Sequence, residues 1–346
     1  MNASELAIDL AHVAKTYGGR VHALQGVAMQ VRRGEIFGLL GPNGAGKSTL
    51  VKILMTVVRP SRAEGYILGA PIGDKATLAR VGYLPENHRF PRYLTGRQTL
   101  TFFGALAKLD RPLRHRRAAK LLDTVGMAAW ADRKVGTYSK GMMQRIGIAQ
   151  ALMNSPELVL LDEPTDGVDP IGRRDIREVL TRMKQEGRTV FVNSHLLSEL
   201  EAISDRVAIL VQGRIVKQGT LDELTITKQR YEIDVAPAPP LEPIALPALA
   251  RAAFPAIAWQ TREDGVLRGQ IPDGPWIELE YSTFRLGTID PITLQPILDA
   301  LRVAGLIIRR VQQVRPSLED LFLETIGGPN ASHAAGAALE VAGVRG

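Results

Sequence analysis

The stretch that decides the fold is Gly41-Pro42-Asn43-Gly44-Ala45-Gly46-Lys47-Ser48, which matches the pattern G-x-x-x-x-G-K-[ST]. It follows the segment from Glu35 to Leu40, which ends in an apolar run typical of a buried strand, and it precedes a helical pattern from Ser48 to Val57. The pattern requires this strand–loop–helix context. A glycine-rich structural turn would explain neither the Lys-Ser pair nor the flanking elements. The stretch therefore predicts a phosphate-binding loop in an α/β fold.

The physical chemistry of this loop favours a nucleotide. Its three glycines let the backbone curl so that successive N–H groups point into one concavity, and the positive end of the new helix attracts phosphate. Lys47 supplies a mobile charge, and the Ser48 hydroxyl is suited to Mg²⁺. We therefore expect the nucleotide-binding segment to extend from Gly41 to Thr49, with Ser48 also in the metal shell.

A second apolar strand ends in adjacent acids. Leu158 to Leu161 runs directly into Asp162-Glu163-Pro164-Thr165, and α/β sheets bind ligands at the carboxyl ends of their parallel strands. Neighbouring side chains on an extended segment diverge, so we expect the two acids to have separate roles. Asp162 would hold the Mg²⁺ shell, and Glu163 would polarise a water that attacks the γ-phosphorus. An ordinary strand end that reaches solvent is the alternative.

Length and composition favour a globular protein without a membrane span. A chain of 346 residues has room for roughly two domains, and its 45% hydrophobic and 23% charged residues argue against wholesale disorder. No stretch approaches the ~18–20 consecutive apolar residues that cross a bilayer, and the first residues show no signal peptide. The absence of cysteine excludes disulfides and thiolate metal sites and fits a reducing compartment. These features predict a soluble, cytoplasmic chain.

The net charge says little about partners. The value of +7 is a small difference between 43 basic and 36 acidic residues, whose signs are interspersed over most of the chain. The densest basic run, Arg111 to Lys120, fits a solvated helix face, contact with anionic lipid headgroups or a membrane partner, or contact with nucleic acid. The sequence leaves these three interpretations open.

Strand and helix patterns alternate along the first two thirds of the chain. Mostly helical periodicity covers Thr95 to Met153, and Arg173 to Gln185 is also helical. Further strand patterns occur at Leu6 to Leu10, Val27 to Val31, Thr189 to Asn193 and Arg206 to Gln212. The alternation predicts an α/β sheet with crossover connections in a domain that spans residues 5–222.

The character of the chain changes near residue 222. Prolines crowd positions 237, 239, 240, 243 and 247, which predicts an extended linker near 236–247. Two strand patterns then flank Asp264-Gly265, a favoured hairpin turn, and helix or strand patterns follow at Pro291 to Ala304, Leu306 to Val314 and Ser317 to Thr325. We expect a small α+β domain over residues 223–326 and a poorly ordered tail, rich in alanine and glycine, over 327–346.

The segment between the two motifs discriminates among nucleotide-binding families. It is Tyr138-Ser139-Lys140-Gly141-Met142-Met143-Gln144-Arg145, and it resembles the LSGGQ-like signature loop of the ABC ATPases. Ser139 and Gly141 match the phosphate-contacting serine and second glycine of that loop, whereas Tyr138, Lys140 and Met142 depart from it. Variants of this kind are similar to those of type-2 exporters, which include drug, polysaccharide and gliding-motility systems.

The resemblance covers residues 5 to 220 and implies a fold. We expect an α/β chain with a P-loop NTPase domain of the ABC ATPase type. Such a domain has a RecA-like core, an antiparallel β subdomain and a helical signature subdomain, and here a small C-terminal α+β domain follows it. The C-terminal part is similar to an accessory domain of the exporter branch, most clearly from Pro316 to Leu323. An amphipathic helix that docks a small domain is the plainer interpretation, and the two are compatible.

Further positions match the family in order along the chain. Tyr17 corresponds to the aromatic residue that stacks on adenine, and Glu86 to the Q-loop, where most ABC ATPases have glutamine. A carboxylate is a harder Mg²⁺ ligand than an amide but repels the γ-phosphate, so Glu86 is assigned to both nucleotide and metal. Asp169 matches the D-loop, and His195 matches the switch histidine, which the resemblance makes catalytic beside Glu163. A packed core tyrosine and an ordinary structural histidine remain the alternatives at positions 17 and 195.

The resemblance also implies a function. The chain would be the ATP-binding and ATP-hydrolysing subunit that powers transport through a separate polytopic membrane permease. The resemblance to the exporter branch favours export, with import as the alternative. Two copies, or one copy and a paralogous ATPase, would pair head to tail in the ATP-bound state, with each ATP between Lys47 of one chain and Ser139 of the other. ATP and Mg²⁺ are the implied cofactors, and the subunit would sit peripherally on the cytoplasmic face of the membrane.

A docking surface for the permease would lie between Glu86 and Leu106. Four apolar side chains there either line a groove or pack in the core: Leu94, Leu100, Phe103 and Leu106. The pattern alone favours core packing for each of them.

Two other classes of protein share parts of this pattern. Soluble ABC ATPases that act on the ribosome usually carry two cassettes, and those that act on chromosomes place a long coiled coil between the motifs. This chain has one P-loop, one signature and no sustained heptads over residues 50–137, so nucleic acid is not expected as a partner. A small-molecule P-loop kinase has no use for a signature loop.

Overall fold

The computed structural model describes residues 5–225, 229–239, 246–262, 265–315 and 317–327, with side chains described up to Phe322. The chain divides into two compact units. The first comprises the described residues up to Leu221 together with those from Phe322 to Gly327, and the second comprises those from Asp222 to Leu321. Among the described helices, none is long and apolar enough to cross a membrane.

The central sheet of the first unit has six strands in the order β10-β9-β3-β8-β7-β6. Their bounds are β3 Ile36–Leu40, β6 Val81–Leu84, β7 Leu158–Asp162, β8 Thr189–Asn193, β9 Arg206–Val211 and β10 Arg214–Thr220. Five strands are parallel, and only β10 pairs antiparallel, with β9. Every residue of β3, β7 and β8 is buried, as expected for strands covered on both faces. The prediction of an α/β fold is confirmed.

A second, antiparallel sheet belongs to the same unit. It comprises β1 Leu6–Tyr17, β2 Val21–Arg32, β4 Arg62–Ile67 and β5 Ala70–Pro71, in the order β2-β1-β4-β5. β1 and β2 have 12 residues each, longer than the predicted patterns, because register shifts interrupt the apolar alternation on which the prediction depends. One buried core joins this sheet to β3, β7 and the first helix.

The described part of the first unit has six α-helices beside these sheets. They are α1 Lys47–Leu54, α2 Gly96–Leu106, α3 Arg111–Thr124, α4 Lys140–Ala151, α5 Pro170–Gln185 and α6 Leu197–Ile203. The short helix α7, Leu221–Thr225, begins at the boundary with the second unit. α2, α3 and α4 pack against one another, which gives the predicted helical segment between the two motifs. Of the four apolar residues suggested for a docking groove, Leu100 is fully buried and Leu106 is exposed, whereas Leu94 and Phe103 are intermediate.

The second unit is built on a six-stranded antiparallel sheet in the order β12-β13-β14-β15-β11-β16. The strands are β11 Arg230–Pro237, β12 Gln260–Thr261, β13 Leu267–Gln270, β14 Trp276–Glu280, β15 Thr283–Leu286 and β16 Leu306–Val314. The helices α8 Leu246–Ala253 and α9 Pro291–Val303 share a buried apolar core with this sheet. Among the described residues, the last helix is α10, Leu318–Gly327, which begins in this unit.

The proline-rich segment differs from the extended linker that we expected. Pro237 is the last residue of β11, and Pro247 lies in the first turn of α8, where its missing N–H would have had no helical partner anyway. Residues 240–245 lie outside the described part of the chain, as do Asp264 of the predicted turn, Pro316 and the predicted tail beyond Gly327. β12 and β13, which lie on either side of this segment in the sequence, pair antiparallel.

Candidate active site

A cavity of about 620 Å³ lies in the first unit, where the loop after β3 meets the ends of β7 and β8. Most of its wall is the predicted loop from Pro42 to Thr49. The other lining residues are Val21, His22, Ala23, Glu86, Glu163, Asp166 and His195. The structure thus gathers the loop, Glu86, Glu163 and His195, which are far apart in sequence, around one space.

Two glycines of the loop are required by close packing. A side chain at Gly41 would collide with the carbonyl oxygen of Leu210, and one at Gly46 would collide with the carbonyl oxygen of Ala23. Gly46 also has a φ of 107°, a left-handed conformation that side chains disfavour. The loop is therefore held against β9 and β2, and this support aims the start of α1 at the cavity. Gly41 itself does not line the cavity.

Lys47 is a buried cation at the floor of the cavity. Its Nζ donates to the carbonyl oxygens of Gly41 at 2.7 Å and Pro42 at 3.4 Å, and only 7% of the residue is exposed. Burial lowers the pKa of Lys47, and the negative charges of Glu163, Asp162 and Glu86 oppose that shift. The ammonium therefore has neutral oxygen partners within its own loop and carboxylates at longer range.

Asp162 ends β7 beneath the loop. The Ser48 Oγ lies 3.5 Å from its Oδ1, and the Nδ2 of Asn193 donates to the same oxygen. Burial raises the pKa of Asp162, the Asn193 hydrogen bond lowers it, and the charges of Glu86 and Glu163 raise it further. Asp162 does not line the cavity, but it reaches the cavity through Ser48.

Glu163 and His195 form a direct pair. The His195 Nδ1 lies 2.8 Å from the Glu163 Oε2, and the His195 backbone N–H donates to that oxygen at 3.3 Å. Glu163 is the residue after β7 and has a φ of 53°, so its backbone is left-handed. This turn separates its carboxylate from that of Asp162. The two acids therefore face different partners.

Besides Gly41 and Asp162, four predicted residues do not line the cavity. Tyr17 is 41% exposed with the Lys15 Nζ 4.7 Å from its ring centre, although Val21, its partner in register, does line the cavity. Ser139 is the N-cap of α4, and its side chain accepts from the Met142 N–H. Asp169 is the N-cap of α5 in the same way, and Gly141 lies in the first turn of α4. Within one chain, these residues do not meet Lys47.

One ion pair links the signature segment to the cavity wall. The Lys140 Nζ lies 2.9 Å from the Asp166 Oδ2, and this hydrogen bond lowers the pKa of Asp166. Asp166 and Glu86 also line a smaller cavity of about 190 Å³, together with residues of the signature helix. Lys140, which stands where the family pattern has glycine, therefore contacts the segment that follows Asp162 and Glu163.

Sequence reasoning missed several residues at this site. Val21, His22, Ala23 and Asp166 line the cavity, and Asn193 binds Asp162. Asn193 could have been predicted to lie near the site, since it comes two residues before His195 at the end of a predicted strand. Its contact with Asp162 could not, because the register of β7 with β8 that places the two residues opposite each other does not follow from the local sequence.

A Mg²⁺ ion would find few protein ligands here. Among the described residues, no group of three or more His, Asp or Glu side chains is arranged to hold a metal. The Ser48 hydroxyl, the Asp162 carboxylate and the nearby Glu86 are hard oxygen donors. Mg²⁺ typically takes one or two carboxylates and completes its shell with phosphate oxygens and water. The donor set fits Mg²⁺ bound together with a phosphate ligand.

Comparison with known proteins identifies what the chain is similar to. Residues 24–166 match the family model described as ABC transporter. The chain is 47% identical over 216 residues to an uncharacterised ABC transporter ATP-binding protein of Synechocystis sp., covering 62% of this chain and 61% of that protein. It therefore spans less than two thirds of that relative's length. It is also 31% identical over 331 residues to the daunorubicin resistance ATP-binding protein DrrA3 of Streptomyces coeruleorubidus, covering 94% and 97% of the two chains.

Solved structures agree with these relatives. A dimeric ATP-binding cassette in a post-hydrolysis state, bound to ADP and Pi, matches with a TM-score of 0.56 and 26% identity. The match covers 62% of this chain and 98% of that one.

Proposed function

Because the chain belongs to the family of ABC transporter ATP-binding proteins, we propose that it binds and hydrolyses ATP to power export through a separate polytopic membrane permease. The nucleotide chemistry belongs to residues 5–222, and residues 223–326 form an accessory domain. Export is favoured because DrrA3, a relative along nearly the whole chain, is named for daunorubicin resistance. Attachment to the permease would hold the subunit at the cytoplasmic face of the membrane.

The observation that carries this proposal is one cavity that contains both a phosphate cradle and a carboxylate–histidine pair. Lys47 already turns toward its own loop, so a β- or γ-phosphate would replace the carbonyls of Gly41 and Pro42 as its partner. A charge-assisted contact to phosphate is about twice as strong as a neutral hydrogen bond. The N–H groups at the start of α1 add further donors.

Glu163 is the proposed general base. Its Oε1 is not engaged by the His195 contact, which uses Oε2, so one oxygen is available for a water. The water attacks the γ-phosphorus, its proton passes to Glu163, and the bond from phosphorus to the β,γ-bridging oxygen breaks to give ADP and phosphate. His195 holds the carboxylate in orientation and lies on the cavity wall beside the phosphate loop.

Mg²⁺ is the proposed metal, held by Ser48, Asp162 and Glu86 together with phosphate oxygens. When bound, it would neutralise charge on the β- and γ-phosphates. Glu86 supplies a negative charge where relatives of this family usually have an amide, so it serves a bound cation better than a bare triphosphate.

The remaining predicted residues are proposed to act across a dimer. Ser139, Gly141 and Asp169 lie outside the cavity of their own chain, at the starts of α4 and α5. In a head-to-tail pair of copies, or a pair with a paralogous ATPase, they would complete the partner's site. The positive end of α4 would then face the γ-phosphate. Tyr17 would stack on adenine beyond Val21. The dimeric cassette with a similar fold supports this arrangement.

Turnover measured against protein concentration tests the proposal. Phosphate release from ATP by the full-length chain should rise more steeply than linearly with concentration until dimers dominate. Equal turnover per chain in a strictly monomeric, dilute sample would contradict the shared site.

A second experiment tests the transport role. Isolation of the chain from its native membrane should also isolate one polytopic membrane protein, and the consistent absence of such a protein would contradict that role.

A further inference from the structure

Asn193 contacts both acids of the proposed site. It ends β8 opposite Asp162 in the parallel register, and none of its surface is exposed. Its side-chain Nδ2 donates to the Asp162 Oδ1, and its backbone carbonyl accepts from the Glu163 N–H at 2.9 Å. One buried residue therefore holds the carboxylate of the first acid and the backbone of the second.

The other end of the same amide has no partner. The Asn193 Oδ1 is buried and makes no hydrogen bond within the described part of the chain. A buried acceptor left unpaired costs about 1–3 kcal/mol. Fold stability alone would favour a side chain without that orphaned oxygen. The asparagine is better explained by what its Nδ2 does for Asp162.

The contact restricts how Asp162 presents its oxygens. Both Asn193 and Ser48 approach the Oδ1, so rotation of the carboxylate would break two contacts at once. The Oδ2 has no contact with either side chain. Asp162 is thereby held with one oxygen committed to the protein and the other available to a ligand.

We infer that Asn193 is a positioning residue for a hydrated divalent cation bound with the nucleotide, acting through Asp162. This inference rests on the proposed function. Asn193 is not itself a ligand, since its free oxygen is out of reach of solvent. Its backbone contact to Glu163 ties the placement of the metal shell to that of the general base. Residues that orient metal ligands in this way typically change metal affinity by about 10–100-fold when removed.

The experiment measures metal affinity rather than turnover. Mn²⁺ is titrated into the full-length chain with ADP, and free Mn²⁺ is followed by electron paramagnetic resonance. Asn193→Ala should weaken Mn²⁺ binding by about 10-fold or more. ADP binding in the presence of EDTA should stay within about 2-fold of wild type, since the Lys47 contacts do not involve Asn193.

A matched control uses another asparagine whose amide donates one hydrogen bond. The Asn154 Nδ2 donates to the carbonyl oxygen of Ala79 at 2.6 Å, outside the cavity. Asn154→Ala should leave Mn²⁺ affinity unchanged. Asn193→Ser retains a hydroxyl donor that is too short to reach Asp162 without movement, and it should weaken Mn²⁺ binding by at least about 3-fold.

Unchanged Mn²⁺ affinity in folded Asn193→Ala would overturn the inference. If that variant does not fold, Asn193→Ser decides in the same way, with wild-type affinity as the contrary result. A wild-type chain that binds no ADP, with or without metal, would instead contradict the proposed function. The two failures are therefore distinguishable.

Discussion

The carboxylates at the two ends of β7 differ in their cationic partners. Before the strand, Glu157 is held by Arg80 at 2.6 Å and Arg33 at 2.8 Å, and these hydrogen bonds lower its pKa to about 2. At the other end of β7, four buried residues, Leu158 to Leu161, are followed by the acids Asp162 and Glu163. Among the described residues, neither of these acids forms an ion pair with lysine or arginine.

The difference distinguishes a carboxylate that is neutralised within the protein from two carboxylates that, in the described part of the chain, are not paired with lysine or arginine. Both carboxylate oxygens of Glu157 form ion pairs with arginine side chains. Asp162 is buried with a raised pKa, and Lys47, which senses its charge, donates to a carbonyl oxygen instead. Negative charge without a close cation is unfavourable unless something else arrives, which is the electrostatic signature of a binding site. Changes at the carboxyl end should therefore affect chemistry, and changes at the amino end should affect stability.

The largest effect is expected from Lys47→Ala. Removal of the only charge in the phosphate loop should abolish detectable nucleotide binding, as measured by titration with a fluorescent ATP analogue. Lys52→Ala, which changes an exposed lysine of the same helix, is the matched control and should bind normally. Tight binding by Lys47→Ala would show that the loop is not the cradle.

Glu163→Gln should separate binding from chemistry. It removes the proton acceptor while keeping size, so turnover should fall by roughly 10²–10⁴-fold, about 3–5 kcal/mol of barrier. ATP affinity should stay near that of wild type. Steady-state phosphate release and equilibrium binding on one preparation provide both values. Normal turnover would remove Glu163 from its proposed role.

Ser139→Ala tests whether the carboxyl end of β7 is completed by a second chain. Alone it should reduce turnover by about 10-fold or more, as should Lys47→Ala. Mixed in equal amounts, the two variants form hybrid dimers with one intact site, and two-fold symmetry predicts recovery of up to about a quarter of wild-type turnover. Phosphate release before and after mixing is the measurement. If Lys47 and Ser139 served the same site within one chain, mixing would restore nothing.

The smallest effect is expected at the amino end. Glu157→Gln should leave turnover unchanged and lower the stability of the fold by at most about 1 kcal/mol at neutral pH, because the ion pairs are partly exposed. The folded pKa of about 2 lies below the ordinary 4.5. The stabilisation is therefore fully present above 4.5 and is lost as pH falls toward 2.

Unfolding midpoints at pH 7 and near pH 2 provide the check, since the difference between wild type and Glu157→Gln should be much smaller at the lower pH. Glu178→Gln, at an exposed pair with Arg174 on α5, is the control and should show a smaller difference at neutral pH. A pH-independent difference would mean that the arginines do not act through charge.

The parts of the site that could be predicted are those written as contiguous motifs. The phosphate loop and the Asp162–Glu163 pair each follow an apolar strand, so their position at a sheet edge follows from local pattern. The predicted α/β ABC ATPase fold is confirmed for the same reason. By contrast, Lys140 and Asp166 lie far apart in the sequence, and the spacing between them does not predict their ion pair.

The remaining elements depend on pairing partners that local pattern does not specify. β14 and β15 pair over four residues, and their polar faces leave only short apolar alternations such as Ile277 and Leu279. Pro247 suggested an extended chain, but the first turn of a helix accommodates proline equally well. In both cases the secondary structure depends on contacts in the folded protein that the local sequence pattern does not specify.

The left-handed backbone conformation at Glu163 lowers the stability of the fold at a residue that is proposed to act in catalysis. Such a conformation disfavours a residue with a side chain by roughly 1–2 kcal/mol, whereas glycine adopts it freely. Selection of this protein for heat resistance alone would therefore enrich glycine at position 163. With the general-base role proposed for Glu163, each such variant would be more stable and would hydrolyse ATP far more slowly, so a screen for stable variants needs to select for ATP hydrolysis at the same time.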